Sequence, residues 1–307
     1  MREGVVHAGC FQQIHVDAAR NATDDFNPFH DPHKWMRLAG NPFPGPLVLG
    51  FQLETLIEAL LHRLPGRDDD DAWAAQHRLR WTNYELTFAG ALCPGEEFSA
   101  EVRAGSRHEG TEPGIAHRVL IRKPGAPVLL GWVRRSAEAL FVADLECDVF
   151  VPPLRAAPDR CQREDWFLKR KFASTGHAKN FLAGALADQA EWFDELEDRV
   201  EFPQMLPAAL LSCALLEQAR LAGHDFYAEP LVYTTHRLSV YAPGVHRIRS
   251  NDALHLLVHG PQVVSAGGGL GVNIEQQRYT GLVCGRDDEV LVRAEVLLAP
   301  LTAITRR

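Results

Sequence analysis

FPGPLVLGFQLETLIEALLHRL, residues 43–64, places apolar side chains around most of a helical wheel, and FPQMLPAALLSCALLEQARLAG, residues 202–223, repeats its plan. Each opens on Phe-Pro and carries a second proline, Pro46 or Pro207, near where a first helical turn would lie. Proline suits that position because its missing N–H would have no helical partner there. The pattern predicts a helix of about four or five turns in each stretch, buried on most faces. Polar groups come late: Glu54 and Glu58 in the first, Glu217, Gln218 and Arg220 in the second.

The segments C-terminal to the two helices are also alike. LRWTNYELTFAG, EEFSAEVRAG, AHRVLIRK and VLLGWVRRSA come after the first; PLVYTTHRLSVY, ALHLLVHG, QRYTGLVCG and EVLVRAEVLLA come after the second. These are short runs rich in β-branched and aromatic residues with Gly and Pro between them, the signature of antiparallel strands. Each half therefore reads as a lead-in strand, an irregular region, one long buried helix and about four strands. An α+β fold in which a curved antiparallel sheet wraps a central helix, built twice, satisfies both halves. The join falls at DVFVPPLRAAPDR, residues 148–160, which separates a unit of residues 1–150 from one of residues 151–307.

Composition narrows the function. Lys and Arg number 32 against 40 Asp and Glu, a formal charge of -8, which argues against a duplex nucleic-acid partner. Six cysteines at 10, 93, 147, 161, 213 and 284 form no CxxC pair and no zinc spacing, so they read as reduced thiols and no metal is expected. MREGVVHAGCFQQIHV is too polar for a signal segment, and residues 206–216 cover about half of the ~20 residues a membrane-spanning helix needs. The expectation is a cytoplasmic protein with no membrane insertion. RDDDD, residues 67–71, reads as a solvated loop, and SAGGGLG, residues 265–271, as a flexible hairpin loop; the latter has no GK[ST] to make it a phosphate loop.

The chemistry concentrates in TDDFNPFHDP, residues 23–32. Pro32 cannot continue a helix opened at Pro28, so the chain should stay irregular through His30 and start a two-turn helix, PHKWMRLA, with Asp31 as its cap. On a continuous helix residues five apart diverge by roughly 140°. In a stiff turn Asp25 and His30 can instead converge on one water and act as an acid–base pair near neutral pH.

Asp24-Asp25-Phe26-Asn27-Pro28-Phe29-His30 resembles the Gly-Asp-x-Asn-Pro-hydrophobic-His signature of the MaoC-like, (R)-specific enoyl-CoA hydratases (hydratase 2). FQQIHVDAARNAT resembles the strand and short helix that precede that signature, and NPFPGPLVLGFQLETL the approach to the family's central helix; the match covers about residues 10–60. The resemblance implies a double hotdog fold. It implies that Asp25 and His30 hold the catalytic water, that Asn27 supports them, and that a backbone N–H, of Gly45 or else of Leu47, polarises a thioester carbonyl. Phe43, Leu47 and Phe51 would then contact substrate, while Leu53, Leu210 and Leu211 line the acyl pocket or fill the core. The implied reaction adds water across C2–C3 of an enoyl thioester, or removes it, as in fatty acid metabolism. No cofactor is implied beyond the CoA or acyl-carrier phosphopantetheine that the substrate brings.

Three positions depart from the family. Asp24 replaces a glycine, Pro44-Gly45 stands where His-Gly is expected at the helix entrance, and the second half offers only His177 and Asn180 in place of the signature. A hotdog acyl-CoA thioesterase and a non-catalytic acyl-thioester-binding protein are the alternative functions. Arg80, Lys123, Arg134 and Arg135 are candidate phosphate contacts. A monomer and a homodimer paired through sheet edges are equally compatible with this reading.

Overall fold

The computed structural model describes residues 4–145, 154–267 and 273–305. The first half runs β1 (Val5–Cys10), α1 (Gln13–Thr23), α2 (Gly50–His62), α3 (Arg67–Gln76), β2 (Trp81–Phe88), β3 (Glu97–Val102), β4 (Ser106–His108), β5 (Gly114–Lys123) and β6 (Ala126–Ser136). The second runs β7 (Arg160–Arg163), β8 (Trp166–Phe172), α4 (Thr175–Gly184), β9 (Phe193–Asp194), β10 (Arg199–Val200), α5 (Met205–Ala209) and α6 (Leu211–Leu221). It continues through β11 (Leu231–Tyr241), α7 (Ala242–Val245), β12 (Ala253–Gly267), β13 (Asn273–Cys284), β14 (Val290–Pro300) and α8 (Leu301–Thr305).

The strand order states the repeat. Across the first half it is β1-β3-β5-β6-β2, and across the second β8-β12-β13-β14-β11, the same permutation of one plan. The two halves meet where β2 pairs antiparallel with β11, from Trp81 opposite Tyr241 to Thr87 opposite Thr235, making one continuous sheet. It curves around α2 and the α5–α6 pair, and Leu56, Ile57, Phe202 and Leu206 belong to one core shared by both halves. Leu53, Leu210 and Leu211 are buried in this core. The join at residues 148–160 and the glycine-rich stretch at 265–271 fall partly outside the described residues.

Four local expectations are corrected. The first central helix begins at Gly50, not near Pro44 or Pro46. Before it, the amides of Leu47 and Val48 donate to the carbonyls of Phe29 (2.7 Å) and Leu92 (2.9 Å), so tertiary hydrogen bonds hold the stretch out of a helix. The second central helix is two segments meeting at Leu210. PHKWMRLA forms a turn and one 3₁₀ turn over Trp35–Arg37, anchored by Ala39 N–H on the Tyr227 carbonyl (2.8 Å); a helix that short has little intrinsic stability. RDDDD is the start of α3, where Asp68, Asp69 and Asp70 occupy the first turn and suit the positive end of its dipole. Asp70 is also paired with Arg107 at 2.6 Å.

No helix among the described residues is long and apolar enough to cross a membrane. Five cysteines are free thiols: Cys10, Cys93, Cys161, Cys213 and Cys284.

Candidate active site

The catalytic-loop candidate starts where α1 ends. Asp24 takes the left-handed conformation, φ 52 and ψ 33, as the C-cap of α1. Glycine is favoured in that conformation and Asp is one of the few residues that tolerate it, which gives the family's glycine a backbone explanation. The Asp24 carboxylate is salt-bridged to Lys171 on β8.

Asp25 is 2 % exposed. Its Oδ1 accepts from the Asn27 backbone N–H (3.1 Å) and its Oδ2 from the Ser212 hydroxyl (2.7 Å). Asn27 Oδ1 accepts from the Phe29 N–H at 3.1 Å and caps a 3₁₀ turn over Pro28–His30, more order than the irregular path expected there. That turn swings the His30 ring toward the chain before α2, where Nδ1 lies 2.8 Å from the Leu47 carbonyl oxygen. A carbonyl only accepts, so Nδ1 carries the proton and Nε2 of the neutral ring keeps its lone pair. Burial lowers the His30 pKa; the Asp25 charge and the Leu47 bond oppose that fall, and Arg20 adds to it. The imidazole is therefore held neutral at physiological pH beside a carboxylate.

Ser212 and Tyr233 come from the other half and carry no sequence signature. Ser212 sits on α6 among leucines, and the Tyr233 hydroxyl lies 3.2 Å from Ser212 Oγ. Since Ser212 donates to Asp25, Tyr233 donates to Ser212. Burial, reinforced by the Asp25 charge, raises the Tyr233 pKa and keeps its hydroxyl protonated. The chain Tyr233–Ser212–Asp25 thus crosses between the halves. A narrow cleft of about 30 Å³ is lined by Asn27, Phe29, Leu215 and Tyr233 among others.

The remaining candidates lie away from this cleft. Phe43 and Leu47 are half-buried in a small cluster with Phe29 and Leu38, and Phe51 is in the main core against Tyr233; none of the three lines the cleft. Gly45 precedes α2 by five residues, so it does not stand at the helix terminus; Leu49-Gly50 is the pair at the entrance. A Cβ at Gly50 would come within 2.8 Å of Phe88 Cζ, which explains glycine there. His177 and Asn180 are exposed on α4 and form no counterpart of the Asp25 loop. Lys123, Arg134 and Arg135 are committed to Glu96 (2.8 Å), Glu85 (2.8 Å) and Asp71, and Arg80 is exposed away from the cleft lining. Among the described residues no cluster of His, Cys, Asp and Glu could hold a metal.

A second buried pair links the halves. His236 Nδ1 on β11 is 2.7 Å from Glu54 Oε1 on α2, both side chains fully buried. Phe51, Phe88 and Tyr233 pack around the His236 ring, with centroids 4.6, 4.9 and 4.6 Å away.

This architecture is the double hotdog, as comparison with solved structures shows. A MaoC-domain protein from Chloroflexus aurantiacus superposes with a TM-score of 0.61 at 9% identity, covering 98% of this chain and 96% of that one. A conserved hypothetical protein from Mycobacterium tuberculosis, described as having a double hotdog fold, gives 0.58 at 11% identity over 97% and 96%. A MaoC-like dehydratase from Phytophthora capsici gives 0.55 at 11% identity over 97% and 96%. No protein-family model and no curated protein sequence matches the chain. At these identities the likeness is one of fold, and function must be argued from the site.

Proposed function

We propose that this protein is an enoyl-thioester hydratase, or 3-hydroxyacyl-thioester dehydratase, with Asp25 and His30 as its acid–base pair. The observation that carries the reading is the neutral, Leu47-anchored His30 beside a buried Asp25 that is itself fixed by two hydrogen bonds. In hydration the pair orients a water, His30 Nε2 takes its proton as the oxygen bonds to C3, and the C2–C3 π electrons move toward the thioester carbonyl. A proton returned to C2 completes the addition, and dehydration runs the same steps backwards. The developing charge on the carbonyl oxygen needs a donor, and the first-turn amide of Gly50, at the positive end of α2, replaces Gly45 in that role. Ser212 and Tyr233 hold Asp25 in place.

The test is crotonyl-CoA with the purified chain, followed by loss of enoyl absorbance and, in parallel, by release of free thiol. Loss of absorbance without thiol is expected. Asp25→Asn and His30→Gln should each lower kcat by about 10²–10⁴-fold, the range typical of positioned acid–base groups. Thiol release would establish a thioesterase instead, and full rate in both variants would dismiss the assigned pair.

A further inference from the structure

Tyr233 and His236 stand three residues apart on β11, a spacing that a regular strand sends to opposite faces. Here both pack on the main core, and their rings meet edge to face, with centroids 4.6 Å apart at 77°. A bulge makes this possible. Tyr233 lies opposite Leu298 of β14 and Thr235 opposite Leu297, so Thr234 is an extra residue that re-phases the strand. Its Oγ1 lies 3.2 Å from the Leu297 carbonyl oxygen, which holds the bulge in place.

Through that bulge His236 touches both parts of the candidate site. On one side is Tyr233, whose hydroxyl leads through Ser212 to Asp25. On the other is the entrance of α2, where His236 Cε1 lies 3.7 Å from the place a Cβ on Gly50 would take. Glu54, one turn further along α2, holds His236 Nδ1 at 2.7 Å. As a source of stability this pair is poor. Both side chains are fully buried, yet Glu54 Oε2 and His236 Nε2 have no partner among the described residues, and packed apolar side chains often serve as well. What the bond adds is direction. A phenylalanine ring in this place would be free to turn about its own axis, whereas an imidazole tied at Nδ1 keeps one plane. The edge-to-face contact with Tyr233 depends on that plane.

We propose that Glu54 and His236 are positioning residues: the bonded pair fixes the Tyr233 ring and, through Ser212, holds the Asp25 carboxylate in place against the entrance of α2. This rests on the function proposed for the Asp25 site and extends it to the side chains that set its geometry across the two halves.

The experiment uses the full chain with crotonyl-CoA and the double variant Glu54→Leu/His236→Phe, which leaves neither buried polar group behind. Its kcat should fall about tenfold, the upper worth of one edge-to-face contact, with KM within about twofold. Glu54→Gln, which retains an acceptor for Nδ1, should recover most of that loss. Added to Ser212→Ala, the double variant should lower kcat by less than about twofold further, because both act on Asp25 through one hydrogen bond; side chains that merely fill space would add their full loss. The NMR titration of the His30 ring needs no turnover. Its midpoint should fall in the double variant, as the Asp25 charge that favours the imidazolium loses its place. If the double variant does not fold, His236→Gln, which keeps a donor toward Glu54 and removes the ring, carries the same expectations for kcat and midpoint. An unmoved midpoint, an unchanged kcat in an active enzyme, an equal loss in Glu54→Gln, or a full further loss on Ser212→Ala would each overturn the inference and leave a wild-type hydratase activity standing. A moved midpoint in a chain that hydrates no crotonyl-CoA keeps the role of the pair and dismisses the hydratase; an unmoved one there dismisses both.

Discussion

Ser212 Oγ donates to Asp25 Oδ2 at 2.7 Å and lies 3.2 Å from the Tyr233 hydroxyl. A serine inside LLSCALL carries no local sign that its hydroxyl reaches a carboxylate 187 positions earlier. Only the antiparallel meeting of the halves makes that contact. A hydrogen bond to a charged acceptor contributes about 1.5–3 kcal/mol, so Ser212→Ala should lower kcat by about 10- to 100-fold with little change in KM. An unchanged kcat would remove Ser212 from the site. His30 supplies a second measurement. Its folded pKa lies below the unfolded value near 6.5, so the unfolded chain binds more protons in the window beneath 6.5. The stability due to its neutral form is complete above that value and is lost as pH falls below it. In NMR titrations the His30 ring should titrate below 6.5, and further below in Asp25→Asn, where the charge favouring the imidazolium is gone. An upward move in that variant would mean that Asp25 does not face the ring.

At the scale of elements, periodicity located both central helices but not their first residues. Pro46 satisfied the rule for a first turn, yet the amides of Leu47 and Val48 go to the carbonyls of Phe29 and Leu92, contacts no local pattern encodes. Glu58 illustrates the same limit. It reads as a late polar residue of α2, but it is 3 % exposed and its two oxygens accept from the Gln204 and Met205 amides at 2.7 and 2.9 Å, capping α5 of the other half. Burial pushes its pKa up from 4.5 to about 7, the two amides opposing that rise. A carboxyl raised on folding binds more protons folded than unfolded between those values. Its contribution is therefore complete below about 4.5 and declines as pH rises to about 7, by about 3 kcal/mol in all. Glu58→Gln cannot titrate. The stability difference between wild type and this variant, from denaturant melts across that window, should fall with rising pH; a difference flat with pH would show that Glu58 titrates normally.

At the scale of the whole molecule, the repeated strand order makes the halves look separable, and their contacts argue that they are not. β2 and β11 share a ladder of seven residue pairs, Asp24 reaches Lys171, Glu58 caps α5, and Glu54 meets His236 across the same boundary. Glu54 and His236 leave Oε2 and Nε2 buried without partners among the described residues. Such a pair is a weak source of stability: well-packed apolar replacement of both members is often neutral or stabilising, whereas removal of one costs about 3–5 kcal/mol. The double variant Glu54→Leu/His236→Phe should therefore be markedly more stable than either single variant. Because the removed group bridges the halves, each single variant should lower the midpoint of one cooperative unfolding transition. Two resolved transitions in wild type would mean that the halves fold as independent domains despite the common sheet. Additive losses in the double variant would mean that Glu54 and His236 contribute separately, through packing against Phe51 and Phe88, and not as a pair.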